Sequence, residues 1–279
     1  MRERPLVSIV TASYNQGRFI EETLRSVKEQ DYPRLEHIVI DGASPDDTLQ
    51  VLRRYEGTYD MRWISEPDQG HADALWKGFE RAQGQVLAWL NSDDVYLPGA
   101  VSAAVDAFER YPEADLIYGD VLIIDERGRT TGERKLTRMD LYDFLGHGDC
   151  LAQPATFWRR HIYERVGGID RDYYFQMDLD FFIRVALAGR LRHIRRTLAK
   201  MRMHAEGKMV KAEHIRRIEL ERLRHRYLKS APLDRVLMNR QWLLARLFIR
   251  HALEGQLAYA GRKAWRQLTT GELFGGERR

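Results

Sequence analysis

VLAWLNSDDVYLP, residues 86–98, is the stretch whose reading decides the fold. Its apolar run Val86-Leu87-Ala88-Trp89-Leu90 follows the breaker Gly84 and stops abruptly at Asn91-Ser92-Asp93-Asp94. A short continuous apolar run between turn residues predicts a buried strand. In an open parallel α/β sheet, ligands bind outside the carboxyl ends of the strands. Adjacent carboxylates at such an end repel each other unless a positive charge holds them, and Mg2+ and Mn2+ prefer oxygen ligands. A metal-bridged diphosphate site is therefore one reading of Asp93-Asp94. The other is a cap for the following helix, whose start is signalled by Leu97-Pro98-Gly99. The motif alone supports both.

Working outward, the preceding segments repeat the strand–loop–helix pattern. Residues 6–12, LVSIVTA, form a first buried strand, followed by the polar loop Ser13-Tyr14-Asn15-Gln16-Gly17. Phe19, Ile20, Leu24 and Val27 then fall at helical spacing over residues 19–29. This opening lacks the G-x-G-x-x-G that brings backbone against a dinucleotide pyrophosphate, which argues against an NAD enzyme. Residues 36–40, EHIVI, form a second strand ending at Asp41, and Pro45-Asp46-Asp47-Thr48 opens a helix with acids at its positive end. Asp41 reads as a hydrogen-bond acceptor for a base N–H or as a turn aspartate. Residues 61–65 give a third strand, and Asp68 and Gly70 share the tight connection before a helix over 72–82. Glycine there permits close approach of a ligand to the backbone. His71 reads as a ligand or as a solvated loop histidine. After a helix over 98–110, residues 115–125 (DLIYGDVLIID) read as one or two strands interrupted at Gly119-Asp120. Four βα repeats predict a mostly parallel sheet with helices on both faces.

The second half is less regular. Residues 153–158, QPATFW, are strand-like, and a helix ends at Gly167-Gly168. Asp178 lies in the first turn of a buried helix containing Phe181, Phe182, Val185 and Leu187, as a cap or as a base aimed into a cleft. Residues 192–203 read as a strand pair, with His204 immediately after. From about residue 206 the pattern is helical, basic and amphipathic, with Leu243, Leu244, Leu247, Phe248, Leu253 and Leu257 in its last part. The expected organisation is one α/β domain over 1–205 and a helical extension over 206–279. Such helices pack on the main domain, form a homodimer, or lie as a peripheral contact on an anionic membrane surface.

Composition bounds these readings. The chain has 279 residues, 44% hydrophobic and 31% charged, enough for a large buried core in a protein with a soluble surface. The net charge is only +4, but the arginines and lysines crowd the last third. No nucleic-acid partner is expected. The single cysteine, Cys150, excludes an intrachain disulfide and a cysteine zinc site, and suits a reducing compartment. The first residues carry no signal-peptide core, and no apolar stretch is long enough to span a bilayer. The expectation is a cytoplasmic protein, with the inner membrane face as a place of work.

Six segments in natural order then resemble the family 2 glycosyltransferases, which have the GT-A fold: residues 7–17 (VSIVTASYNQG), 36–48 (EHIVIDGASPDDT), 66–75 (EPDQGHADAL), 84–98, 153–170 (QPATFWRRHIYERVGGID) and 177–184 (MDLDFFIR). The resemblance covers about residues 5–205 and implies a nucleotide-binding, mostly parallel mixed sheet flanked by helices. It implies that Thr11, Ser13 and Tyr14 line the base and ribose pocket, that Asp41 accepts from the base (uracil or thymine), and that Asp68 helps hold the nucleotide. Asp93 looks like the metal-binding carboxylate for Mg2+ or Mn2+, with Asp94 beside it. His204 matches a metal or diphosphate ligand, Asp178 the catalytic base, and Gln153 and Trp158 the acceptor side. Departures from the family pattern are Asn91 for the first aspartate of D-x-D, Gly42 for a second aspartate, Met177 for a glutamate, and Trp76 for an asparagine.

The implied activity is inverting transfer from a nucleoside-diphosphate sugar, UDP- or dTDP-linked, to a hydroxyl of a saccharide or lipid-linked acceptor. A retaining double displacement needs a second nucleophilic carboxylate, for which the sequence offers no evident candidate. Two alternatives belong to other classes. A non-catalytic nucleotide-sugar scaffold of the same fold has no need of Asp178. A nucleotidyltransferase calls for a glycine- and lysine/arginine-rich phosphate loop, whereas residues 13–18 hold one glycine and one arginine.

Overall fold

The computed structural model describes residues 4–141, 143–147, 151–207, 213–228 and 240–262. Cys150 and the side chains of Leu243, Leu244 and Leu247 lie outside the described set. The first half alternates β1 (Val7–Ser13), α1 (Ile20–Lys28), β2 (Leu35–Asp41), α2 (Thr48–Tyr55), β3 (Met61–Ser65), α3 (His71–Arg81) and β4 (Val86–Trp89). A two-residue strand β5 (Val95–Tyr96), helix α4 (Ala100–Arg110), and strands β6 (Leu116–Ile124) and β7 (Thr130–Arg134) follow. Next come β8 (Thr156–Arg159), α5 (Arg160–Arg165), α6 (Met177–Ala188), β9 (Leu191–Arg202), and the C-terminal helices α7 (Glu213–Leu228) and α8 (Arg240–Leu253).

The strands form one nine-stranded sheet of order β3-β2-β1-β4-β8-β6-β9-β5, with β7 paired to β6. The β3-β2-β1-β4 half is parallel throughout. β8 runs antiparallel to both β4 and β6, while β6 and β9 are again parallel. The sheet is thus mixed, with its parallel half where the βα repeats are. Helices cover both faces. Ile38 and Ile40 join the main core, whereas Val39 points the other way into a smaller cluster with Ile20, Leu24, Val51 and Leu52. That alternation follows from the two-residue period of a strand.

Three local readings change. The segment read as one or two strands over 115–125 is a single strand, β6 (Leu116–Ile124), whose register shifts around Gly119-Asp120. A side chain at Gly119 would collide with the Arg196 carbonyl, so glycine admits the neighbouring strand there instead of ending β6. The segment read as a strand pair over 192–203 is one twelve-residue strand, β9 (Leu191–Arg202). Residues Gln153–Ala155 make a 3-10 turn ahead of β8.

The C-terminal helices pack on the rest of the chain. Arg250 of α8 bridges Asp140 at 2.7 Å and Asp143 at 2.6 Å, and Arg246 also pairs with Asp140. Tyr227 of α7 donates to the buried Asp180 carboxylate at 2.6 Å. Among the described residues no helix is long and apolar enough to cross a membrane.

Candidate active site at the strand ends

Strand order reverses direction beside β1, since the chain steps from β1 outward to β2 and β3 and then back to β4 on the other side. This is the crevice where open α/β sheets bind ligands. In register, Ser13 stands beside Asp41 at the ends of β1 and β2, and Leu90 donates to the Val10 carbonyl so that Asn91–Asp94 emerges on the opposite flank.

The pair Asp93-Asp94 splits in two directions. β5 pairs antiparallel with β9, laying the segment after Asp94 against the end of β9. Asp93 there meets His204, whose Nε2 lies 3.0 Å from Asp93 Oδ2. Asp94 turns inward. Its carboxylate accepts Arg202 N–H at 2.9 Å and the Asn91 amide at 3.2 Å. Burial pushes the Asp94 carboxyl well above the usual carboxylate range, and the Asp93 charge adds to it. Neither aspartate caps α4: Gly99, at φ +74°, precedes that helix and no side chain caps it. The capping alternative therefore fails.

Arg202 organises this corner. Its guanidinium donates to the carbonyls of Asp93, Asp125 and Glu126 and to the Glu22 carboxylate at 2.6 Å, and it stacks 4.9 Å from the Phe19 ring. Phe19 also packs 4.8 Å from the His204 ring. Asn91, at the first D-x-D position, is spent internally: Oδ1 accepts Trp89 Nε1–H at 2.7 Å while its amide donates to Asp94.

On the other flank, Asp41 is fully buried. It accepts the Ser44 amide at 2.9 Å, the Ser44 hydroxyl at 2.5 Å and the Ser65 hydroxyl at 2.7 Å. Asp68 lies close by, accepting Gly70 N–H at 2.8 Å. Desolvation raises the Asp68 pKa, and the charges of Asp73 and Asp41 act in the same direction. A Cβ on Gly42 would sit 2.7 Å from Asp68 Oδ2 and 3.3 Å from the Tyr14 ring, so glycine makes room for both side chains. Tyr14 itself is 58% exposed. Ser13 Oγ is buried with no hydrogen-bond partner among the described residues, as a group that meets a ligand would be.

Asp178 is the second residue of α6 and half-buried, its Oδ1 accepting Leu179 N–H at 2.8 Å. Asp180 is held differently: Arg184 pairs with it at 2.6 Å, Tyr227 donates to it, and it is fully buried. Of the two acids in this motif, only Asp178 has solvent access.

Two expected site residues belong to the interior instead. Thr11 is fully buried, its hydroxyl 2.9 Å from His37 Nε2, so it does not line an open pocket. Burial drives the His37 pKa down to about 3, leaving a neutral ring shared between Thr11 and the Tyr59 hydroxyl at 2.7 Å. Trp158 is likewise fully buried, 5.7 Å from Phe79 and 5.0 Å from Phe181. The first three residues of β8 are all buried, so Trp158 does not face an acceptor. Gln153 does approach the strand ends, its Nε2 donating to the Trp89 carbonyl while its Oε1 stays buried without a partner among the described residues. The motifs gave no sign of Arg202 or of the inward turn of Asn91 and Asp94.

The donor set suits a divalent cation. Asp93 offers oxygen and His204 nitrogen, and among the described residues no third histidine, cysteine or acid completes a cluster. Mg2+ is commonly bound through one or two carboxylates with substrate phosphates and waters filling the remaining positions, so two protein ligands fit a phosphate-sharing site.

Known proteins share both sequence and fold with this chain. The chain is 33% identical over 192 residues to an uncharacterized glycosyltransferase of Mycobacterium tuberculosis, covering 67% of this chain and 71% of that one. It is 29% identical over 197 residues to a PGL/p-HBAD biosynthesis glycosyltransferase of Mycobacterium bovis, covering 68% and 75%. Among solved structures, Staphylococcus aureus TarS (residues 1–349) in complex with UDP-GlcNAc superposes with TM-score 0.68 at 18% identity, over 94% of this chain and 81% of that one. The mannosyltransferase PcManGT of Pyrobaculum calidifontis, solved with GDP-Man and Mn2+, gives TM-score 0.61 at 21% identity, over 98% and 77%. These likenesses show the GT-A fold. The family model for Glycosyl transferase family 2 matches residues 8–167, and the chain belongs to that family.

Proposed function

We propose that this glycosyltransferase is inverting and metal-assisted, moving a sugar from a UDP- or dTDP-linked donor to a hydroxyl of a saccharide or lipid-linked acceptor. The observation that carries the reading is the meeting of Asp93 and His204 at the strand ends. It supplies two ligands where a donor diphosphate would lie, at the carboxyl ends of the strands. Tyr14 and Asp68 would flank the base and ribose. Asp41 is as buried as Thr11, so instead of accepting from the base it would hold the Ser44 and Ser65 hydroxyls at the pocket wall. When bound there, Mg2+ or Mn2+ supplies Lewis-acid neutralisation of the leaving diphosphate.

The acceptor hydroxyl attacks the anomeric carbon from the face opposite the diphosphate, and Asp178 takes its proton as the new C–O bond forms. The bond from the anomeric carbon to the phosphate oxygen breaks, its electrons leave with the nucleoside diphosphate, and the configuration inverts. Asp180, tied by Arg184 and Tyr227, is in no position to serve. Gln153 would stand on the acceptor side, its buried Oε1 having no hydrogen-bond partner among the described residues.

The test is incubation with a panel of nucleotide-sugars and scoring of free nucleoside diphosphate, with Asp178→Asn in parallel. The expected result is product release by the wild type, and nucleotide binding without turnover by the variant. Turnover by the variant near the wild-type rate would remove Asp178 from the mechanism. Binding without release for every donor would favour a scaffold.

A further inference from the structure

Helix α7 reaches back to the segment that carries Asp178. Its Glu219 is 7% exposed and sends both carboxylate oxygens to the backbone just ahead of α6. Oε1 accepts Tyr174 N–H at 2.7 Å, and Oε2 accepts Phe175 N–H and Gln176 N–H, each at 2.8 Å. Gln176 is the N-cap of α6, so these three amides end one residue before Met177 and two before Asp178. Gln176 makes no side-chain cap bond of its own. Successive amides converging on one anion form a compact cradle, and hydrogen bonds to an ionised acceptor are about twice as strong as neutral ones.

The attachment continues on either side. Arg222 donates to the Asp172 carbonyl at 3.3 Å and stacks 4.9 Å from the Tyr173 ring. Arg226 pairs with Asp170 at 3.0 Å. From Asp170 to Asp180 the chain is thus held by one face of α7.

We infer that Glu219 is a positioning residue for Asp178. It touches no substrate. It fixes the three-residue turn that sets where α6 begins, and so where the Asp178 carboxylate stands relative to the donor. The C-terminal helical region is then part of the machinery of transfer, not an appendage. The inference rests on the reading of Asp178 as the base.

The test uses the full chain with Glu219→Ala, Glu219→Gln, Asp178→Asn and the double variant Asp178→Asn/Glu219→Ala. Nucleoside diphosphate affinity, donor KM, kcat and thermal midpoint are measured for each. For Glu219→Ala we expect kcat to fall about 10²-fold, the scale of an ångström-size misplacement, with nucleotide affinity unchanged within about twofold. Glu219→Gln keeps the shape and one acceptor oxygen, so its loss should be smaller and its thermal midpoint closer to wild type. In the Asp178→Asn background Glu219→Ala should cost little more, because both changes act on one group. A wild-type kcat for Glu219→Ala beside an inactive Asp178→Asn would overturn the positioning role alone. An active Asp178→Asn would overturn the base assignment instead. If Glu219→Ala does not fold, Glu219→Gln decides: reduced kcat with intact nucleotide affinity supports the role, and parallel loss of both refutes it.

Discussion

Replacing Asn91 by aspartate would restore the family's usual acidic residue, and the structure predicts that the change is harmful. The Asn91 amide donates to Asp94 Oδ2 at 3.2 Å. In Asn91→Asp an unprotonated oxygen would face that buried carboxylate at the same separation. Two unit charges 3.2 Å apart repel by about 5 kcal/mol at an effective dielectric of about 20. The lost hydrogen bond leaves an unpaired buried acceptor, which costs about 1–3 kcal/mol. Proton uptake and side-chain movement relieve part of this, so the net destabilisation should be about 3 kcal/mol. At 2–4 °C per kcal/mol for a domain of this size, the thermal midpoint should drop by about 6–12 °C. Differential scanning fluorimetry in EDTA reads this directly and keeps metal out of the comparison. A midpoint equal to wild type, together with tighter Mn2+ binding, would refute the inward orientation of Asn91.

Three further outcomes are expected. Asp93→Ala removes one of the two candidate metal ligands, so Mn2+ should no longer strengthen nucleoside diphosphate binding in isothermal titration; an unchanged Mn2+ dependence would take Asp93 out of the site. Burial and the neighbouring Asp140 charge raise the Asp143 pKa to about 6. The folded state therefore binds a proton that the unfolded chain has released, and this group's contribution to stability falls as pH rises from about 4 to about 6. Asp143→Asn should accordingly gain stability relative to wild type as pH rises over that range in urea unfolding; a difference between the two proteins that does not change with pH would contradict the assignment. Finally, α8 directs Arg246 and Arg250 inward while Phe248, Ile249 and Leu253 are exposed. If the acceptor is lipid-linked, serine at these three apolar positions should reduce co-sedimentation with anionic vesicles, and equal recovery would count against a membrane-surface acceptor.

The βα half of the fold is legible in sequence because each apolar run is short, bounded by turn residues and followed by a helix at 3.6-residue spacing. β9 is not legible as one strand, because much of it is only partly buried and its side chains mix polar with apolar along its length. β6 reads as broken because Gly119 marks close strand approach as readily as a turn. At the site, motif position finds the strand ends but not the direction of each side chain. Thr11 and Trp158 lie on strands buried on both faces, where the inside–outside alternation that would reveal orientation is absent. The contact of Asp93 with His204 spans 111 residues and depends on the two-residue strand β5, too short to announce itself. Glu219 carries no local signal, since a glutamate in a basic helix reads as a solvated charge until the turn at 174–176 is seen against it.

The most direct measurement is anomalous diffraction at the manganese edge from crystals grown with UDP and Mn2+. The account predicts one peak roughly 2.0–2.6 Å from an Asp93 carboxylate oxygen, the range for hard cations on oxygen, shared with the UDP diphosphate and within reach of His204. A peak bound elsewhere, or a diphosphate seated away from the ends of β1 and β4, would contradict it.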